Sequence, residues 1–293
     1  MGKSVTLFIM TQKGYEVLKA IAEDFRDNID AVISSRDLNI QKDYYEEIKE
    51  FCIRHGILFY DRADAYVINS QYAIAVSWRW LINKPPTQVI VLHDSLLPKY
   101  RGFNPLVSAL INGEKKVGVT ALLASERYDR GDIISQFAIE LSYPIKIQDA
   151  IELMISSYKE MALRIIQKIA NGETMQTVKQ NEKEASYSLW RDEEDYKIDW
   201  SQSSEYIKRF IDAVGFPYKG AATTVNNKIA RILDAEVVKD VKIENRTPGK
   251  VIFVEGFKPV VVCGTGLLKI NEIVDDQTKK SLLPMSRFRI RFK

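Results

Sequence analysis

Apolar runs of strand length alternate with stretches of helical periodicity through the first half of the chain. Val5-Thr6-Leu7-Phe8-Ile9-Met10 is such a run and ends at Thr11-Gln12-Lys13-Gly14. Val17, Leu18, Ile21 and Phe25 follow at the spacing of one helix face. Ala31-Val32-Ile33-Ser34 predicts a second strand. Residues 42–54 predict a second helix, with Gly56 just past its last turn. Further strands are expected at 73–76 and 88–92, separated by Trp78-Arg79-Trp80-Leu81-Ile82 and a Pro85-Pro86 break, and then at 117–124 and 133–139. Helices are expected at 105–111 and 147–169. Continuous apolar strands separated by helices predict a Rossmann-like, mostly parallel α/β sheet covered on both faces.

The pattern changes after Gly172. Residues 173–200 have few aliphatic runs and carry Asp192-Glu193-Glu194-Asp195, the signature of a linker. A helix over 204–214 precedes short strands at 221–225, 228–235, 249–254, 259–263 and 267–274, punctuated by Gly and Asn. These predict a small, mainly β domain, a barrel or a sandwich. The chain is therefore divided into domains at 1–188 and 189–293. The tail Arg287-Phe288-Arg289-Ile290-Arg291-Phe292-Lys293 alternates basic and apolar residues. It reads either as an edge strand with a solvated basic face or as a contact for phosphates.

Composition narrows the partners. Forty-two Lys+Arg against 39 Asp+Glu leave a net charge of +3, which argues against a uniform nucleic-acid-binding surface. Two cysteines, Cys52 and Cys263, are too few for a disulfide scaffold or a Cys-rich metal cluster. There is no apolar run of about 18 residues and no signal-peptide pattern, so no membrane partner and a cytoplasmic setting are expected. Met1-Gly2-Lys3-Ser4-Val5-Thr6 fits a loose myristoylation template, but the buried strand expected at 5–10 would hold Gly2 close to the folded body.

With only two histidines, the acid–base chemistry available at neutral pH is restricted. His55, in Arg54-His55-Gly56, sits at a helix C-terminus, where a cation complements the dipole. His93 follows the strand 88–92, at the strand end where open α/β sheets place their sites. Asp129, in Tyr128-Asp129-Arg130-Gly131-Asp132, lies just past the strand 117–124. If those strands are parallel neighbours, His93 and Asp129 meet on one sheet edge, and the carboxylate orients an imidazole suited to removing a proton. Ser95 is not in a Gly-x-Ser-x-Gly elbow, and there is no His-Glu-x-x-His, Gly-x-x-x-x-Gly-Lys or Gly-x-Gly-x-x-Gly motif. Serine hydrolysis, metal chemistry, nucleotide hydrolysis and dinucleotide redox therefore have no motif support, and no metal is expected.

His93-Asp94-Ser95-Leu96-Leu97-Pro98-Lys99-Tyr100-Arg101-Gly102 resembles the His-x-Ser-Leu-Leu-Pro-x-x-x-Gly signature of the 10-formyltetrahydrofolate-dependent formyltransferases. Val117-Gly118-Val119-Thr120 and Asp129-Arg130-Gly131-Asp132-Ile133 resemble two further family segments. Ala185-Ser186-Tyr187, 191–195, Ile198-Asp199-Trp200 and 216–221 resemble the linker and C-terminal domain of its methionyl-tRNA and amino-arabinose branches. The resemblance covers nearly the whole chain and implies an OB-like C-terminal domain. It also implies N10-formyltetrahydrofolate as cofactor, with tetrahydrofolate as product. A primary amine would attack the formyl carbon. His93 would take the amine proton or stabilise the tetrahedral intermediate, and Asp129 would tune His93. Trp80, Leu81 and Ile82, with Ser125, Glu126, Arg127, Tyr128 and Asp129, would hold the pterin. Residues 95–98, Leu96 and Pro98 among them, would shape the loop between cofactor and acceptor, with Leu96 also packing beneath it.

One position departs from the family. Its usual Asn two residues before the histidine, an oxyanion-hole donor, is Val91 here. Losing one such donor typically costs ~10²–10³ in rate. Asn104, with Ser95 in support, is the candidate replacement; otherwise His93 and backbone N–H groups hold the oxyanion, or the chain is a non-catalytic folate- or nucleotide-binding relative.

Charge separates the acceptors. The methionyl-tRNA enzymes carry a basic insertion after the second strand, whereas residues 34–47 here run almost directly into a helix and are not basic. Residues 189–293 hold 19 Lys+Arg and 15 Asp+Glu, but the last fifteen residues alone contribute six cations and no acid. Phosphate neutralisation by the body of that domain is not supported, so nucleic acid is not the expected partner. The second domain also weakens water or glycinamide ribonucleotide as acceptor. The expected acceptor is a small nucleotide-linked amino sugar. A UDP-linked 4-amino sugar is favoured, for example a surface-polysaccharide or pseudaminic-acid precursor. Lys13 and Arg101 are candidates for its pyrophosphate, beside Gly102. The alternative acceptor is methionyl-tRNA. A homodimer is expected from the sugar-type relatives.

Overall fold

The computed structural model describes residues 3–82, 88–285, 287 and 289–293. The Met1-Gly2 template, the Pro85-Pro86 break and Phe288 lie outside the described residues. In chain order the first elements are β1 (Val5–Ile9), α1 (Thr11–Phe25), β2 (Ile29–Ser34), α2 (Tyr45–Arg54), β3 (Leu58–Asp61), β4 (Tyr72–Val76), β5 (Gln88–His93), β6 (Arg101–Gly102) and α3 (Pro105–Asn112). After them come β7 (Lys116–Leu123), β8 (Ile133–Glu140), α4 (Ile147–Asn171), β9 (Tyr187–Ser188) and α5 (Ser204–Ala213). The last strands are β10 (Ala221–Val225), β11 (Lys228–Val238), β12 (Val251–Glu255), β13 (Lys258–Val262) and β14 (Leu267–Asp275). The chain divides into two compact units. One comprises Met1–Leu106, Lys115–Leu141 and Ala150–Leu189; the other comprises Val107–Glu114, Ser142–Asp149 and Trp190–Lys293.

The first unit is built on a seven-stranded sheet in the order β3-β2-β1-β4-β5-β7-β8. The pairs from β3 to β5 are parallel. β1 and β4 are buried almost throughout, as strands covered on both faces must be, and their sequences are accordingly continuous apolar runs. α4 turns Ile151, Met154, Tyr158, Met161 and Ile165 inward at helical spacing. Gly14 lets α1 fold back on β1, since a Cβ there would lie 2.9 Å from the Ile9 Cβ. β5, β7 and β8 differ from the expectation. β5 and β7 are neighbours but run antiparallel, with His93 opposite Thr120, and β7–β8 is a hairpin. The chain between β5 and β7 holds the two-residue β6 and the short α3, and β8 alternates exposed and half-buried residues as an edge strand does. β3 was not expected. It is a four-residue edge strand with Leu58 exposed, too short for its pattern to register.

The second unit is a five-stranded antiparallel sheet in the order β10-β11-β14-β13-β12, with α5 capped by Ser203, whose Oγ accepts from the Tyr206 N–H. Its edges are joined by the tail. Thr224 and Lys293 exchange backbone hydrogen bonds (2.7 and 3.1 Å), and Phe292 N–H donates to Gly249 O (2.7 Å) and Val251 N–H to Ile290 O (3.1 Å). Residues 290–293 thereby bridge β10 and the entry to β12, closing the sheet toward a barrel. Phe292 is buried against Trp200, while Arg291 and Lys293 stay exposed, so the basic–apolar alternation follows strand geometry.

Candidate active site

β5 carries the site histidine at its C-terminal end. Val91 and His93 are two residues apart and share one sheet face, and Val91 packs against the apolar cluster of Phe8, Ala31, Ile33, Ala73 and Ala75. His93 is buried and held at both ring nitrogens. Nε2 lies 2.9 Å from the Tyr100 carbonyl oxygen, and Nδ1 lies 3.5 Å from Asp129 Oδ1. A carbonyl only accepts, so in this geometry Nε2 carries a hydrogen and Nδ1 is turned toward the carboxylate. At 3.5 Å the contact with Asp129 is electrostatic rather than a hydrogen bond.

Asp129 reaches His93 by a different route from the one expected. Because β7 runs antiparallel to β5, its C-terminal end lies beside the start of β5, where Ala124 N–H donates to Val89 O (2.8 Å). Residues 124–132 then fold back, with Asp129 in the left-handed region (φ 55°), a conformation Asp tolerates better than most residues. Its other oxygen, Oδ2, accepts from Gly102 N–H at 2.8 Å. Gly102 is required on two counts. Its φ is +100°, and a Cβ there would lie 2.5 Å from Ser188 O.

The other expected site residues fall into two groups. Trp80, Leu81, Ile82 and the 125–128 edge lie in the same region. Ile82 packs on the cluster that holds Val89 and Val91, and Val89 is bonded to Ala124 at the root of the Asp129 loop. Ser125, Glu126, Arg127 and Tyr128 are exposed, and Tyr128 meets Phe103 (ring centroids 5.9 Å). Leu96 lies over Gly118, where a Cβ would come within 2.5 Å of its Cδ2, and Pro98 O accepts from Ser186 N–H (3.2 Å). Asn104 is half-buried at a left-handed position (φ 48°) closing the same segment.

The second group is engaged inside the protein. Ser95 Oγ donates to Lys99 O (2.7 Å), which makes it a turn former rather than an oxyanion donor. Arg101 is fully buried. Its guanidinium binds Gln180 Oε1 (3.1 and 2.8 Å), both Glu182 oxygens (2.9 and 2.7 Å) and the Tyr187 hydroxyl (3.3 Å), so it is not free for a pyrophosphate. Lys13 is buried and ion-paired with Asp94, which corrects its expected role in the same way.

Asp94 also accepts from Tyr158 Oη. Burial pushes the Asp94 carboxyl up, but the charge of Lys13 and the hydrogen bonds from Lys13 and Tyr158 outweigh it and hold the group below the usual carboxylate range. Burial, and then the Asp94 charge, raise Tyr158 well above an ordinary tyrosine. Because the folded value is depressed, the pair's contribution to stability is complete above the unfolded carboxylate's ~3.9. It is lost as pH falls through the lower folded value. Asp94→Asn is expected to lower the unfolding free energy at pH 7 by about 3 kcal/mol, because Lys13 is left buried without its counter-charge. In urea titrations the gap to wild type should narrow below about pH 4.

Three features of this region were not singled out from the sequence. The Trp78 indole Nε1 is buried with no hydrogen-bond partner among the described residues. Gln180 and the carbonyl of Tyr100 also touch the site. Trp78 and Gln180 lie in no motif and Tyr100 fills an unspecified position of the 93–102 signature, so it is the fold rather than the residue type that marks them. The cysteines take no part. Burial pushes both thiols up to about 12, which leaves them un-ionised at neutral pH.

Residues 63–187 match the formyl transferase family and residues 191–288 match the formyl transferase C-terminal domain. The chain belongs to this family, and its class is that of formyl-transferring enzymes. Methionyl-tRNA formyltransferase of Clostridium novyi is 28% identical over 274 residues, 87% of each chain. That of Syntrophomonas wolfei is 30% identical over 208 residues, 71% of this chain and 65% of the relative. Among solved structures, the N-formyltransferase from Helicobacter canadensis in complex with folinic acid and dTDP-3-aminofucose has a TM-score of 0.70 at 19% identity, over 92% of this chain and 99% of that one. WlaRD, a sugar 3N-formyl transferase crystallised with dTDP and 5-N-formyl-THF, has a TM-score of 0.68 at 18% identity, over 96% and 98%. These likenesses are likenesses of fold.

Proposed function

We propose that this enzyme moves a formyl group from N10-formyltetrahydrofolate to the primary amine of a nucleotide-linked amino sugar. The residues present suit a folate. An apolar wall of Ile82, Val89 and Val91 adjoins an exposed polar loop at 125–128. The buried Trp78 N–H, lacking a partner within the described protein, is available to a ligand, since buried donors are rarely left unmade. When bound, the folate supplies the activated formyl carbon. In the neutral His93 ring Nε2–H is donated to Tyr100, so the amine's proton is taken at Nδ1. There Asp129 Oδ1, 3.5 Å away, balances the charge that arrives.

The observation that carries the choice of acceptor is the segment between β2 and α2. Its cations are Arg36 and Lys42. Arg36 is paired with Asp43 (3.4 Å) and Glu46, and Lys42 with Glu47 (3.4 Å). A segment whose cations are matched by its own Asp43 and by the first-turn acids of α2 offers little to phosphates. Two solved relatives were crystallised with dTDP or a dTDP-linked 3-amino sugar, which supports the same class of acceptor. A UDP-linked 4-amino sugar remains the first acceptor on the sequence resemblance, and dTDP-linked 3-amino sugars stand beside it. The second reading, formylation of methionyl-tRNA, is favoured by the names of the sequence relatives and by the exposed Arg291 and Lys293 of the tail.

The test offers the protein N10-formyltetrahydrofolate with UDP-, dTDP- and GDP-linked amino sugars and, separately, methionyl-tRNA, and reads products by mass. One added formyl group on a nucleotide sugar is the expected result. Product on the tRNA alone, falling steeply with salt, contradicts the proposal. Val91→Asn is expected to fold at a cost of about 1 kcal/mol for a half-buried amide. Its formyl transfer in the same assay should be no slower than wild type. An unfolded variant would mark Val91 as core.

A further inference from the structure

Residues 178–188 pass along the site, reaching the Asp129 backbone on one side and, on the other, the 100–102 segment whose Tyr100 carbonyl holds His93. At one end Val178 and Ile133 exchange backbone hydrogen bonds, both 2.8 Å, just beyond the Asp129 loop. At the other end β9 pairs with β6. Arg101 N–H donates to Ser186 O (2.8 Å), Phe103 N–H to Ser188 O (3.1 Å) and Tyr100 N–H to Ser186 Oγ (2.9 Å). Gln180 lies between these anchors. Its Nε2 donates to the carbonyls of Asp129 and Gly131, both at 2.8 Å, and its Oε1 accepts from Arg101 Nε and Nη2 at 3.1 and 2.8 Å.

This uses all of the amide's capacity, two donors and two lone pairs. It also fixes the orientation of the amide. Exchanging O and N would set the NH₂ against the guanidinium and the oxygen against two carbonyls. What the amide joins bears on the reaction. Three consecutive residues serve the site: Tyr100 O holds His93 Nε2, Arg101 binds Gln180, and Gly102 N–H holds Asp129 Oδ2. Gln180 therefore links the segment that orients the histidine to the backbone of the residue that faces it. We infer that Gln180 is a positioning residue for formyl transfer, clamping the Asp129 loop to the 100–102 segment and so setting the separation of Asp129 and His93 Nδ1. The inference rests on the proposed role of that pair. Gln180 acts through the pair and need not touch substrate. Displacements of about 1 Å at reacting groups cost on the order of 10²-fold in rate.

Two variants test it. Gln180→Met keeps the side-chain length and loses all four hydrogen bonds. Gln180→Glu keeps the acceptor for Arg101 but sets a carboxylate against the Asp129 and Gly131 carbonyls. Both are expected to lower kcat roughly 10- to 100-fold, with KM for donor and acceptor within about twofold of wild type, as displacement of chemical groups rather than loss of binding requires. Without any substrate, the His93 ring resonances should move in both variants while those of His55, the only other histidine, stay in place. If Gln180→Met does not fold, Gln180→Glu decides. Unchanged His93 resonances, or a loss confined to KM, would overturn the inference. The resonance comparison needs no acceptor, so it decides the role of Gln180 even if wild type formylates none of the sugars, an outcome that counts against the acceptor proposal alone.

Discussion

Replacing His93 with alanine is expected to lower formyl transfer by ~10²–10⁴-fold, the range supplied by a positioned general base. The fold should survive. The ring sits at the end of β5 rather than in mid-strand, and its polar contacts among the described residues are the Tyr100 carbonyl and Asp129. Loss of the one hydrogen bond leaves the Tyr100 carbonyl with the longer contact from Ser188 Oγ (3.4 Å), at a cost of about 1 kcal/mol, and should shift Tm by a few degrees at most. The check is kcat/KM together with Tm on one preparation. Near wild-type kcat/KM would remove His93 from the mechanism, and a collapse of Tm would make the rate loss uninformative.

Asp129→Asn is expected to have the second-largest effect, about 10²–10³-fold on kcat. The substitution discriminates between two roles. Asparagine oxygen still accepts from Gly102 N–H, so the loop geometry defined by that 2.8 Å bond is retained, while the charge facing His93 Nδ1 is removed. If charge balance is what Asp129 contributes, Asn and Ala should be similarly slow, with Asn the more stable because Ala strands the Gly102 donor. If Asn restores activity, Asp129 is a loop former and the proton is balanced elsewhere.

The sheet was legible because its strands are continuous apolar runs, and the helices because their buried residues recur at helical spacing. His93 was legible from its place just past such a run. Strand direction was not. The run at 117–124 reads the same whether β7 lies parallel or antiparallel to β5, and the connection between them, residues 94–115, is long enough for either. Asp129 still meets His93, but through the fold-back of 124–132. Lys13 and Arg101 looked free because a cation's partners can lie anywhere in the chain. Asp94 is 81 residues from Lys13, and Gln180 is 79 from Arg101. Gln180 and Trp78 had no signal at all. An amide or an indole is chemically bland until the fold gives it carbonyls, a guanidinium or an unfilled hydrogen bond.

In the proposed reaction His93 and Asp129 flank the place where the formyl group is transferred. A crystal structure of the wild-type protein with folinic acid tests this most directly. The account predicts a pterin between residues 80–82 and 125–129, with the formyl-bearing end directed to His93, so that an attacking amine placed ~3–3.5 Å from the formyl carbon is within reach of the ring. A folate bound away from both loops, or one whose formyl-bearing end points away from His93 and Asp129, would contradict it.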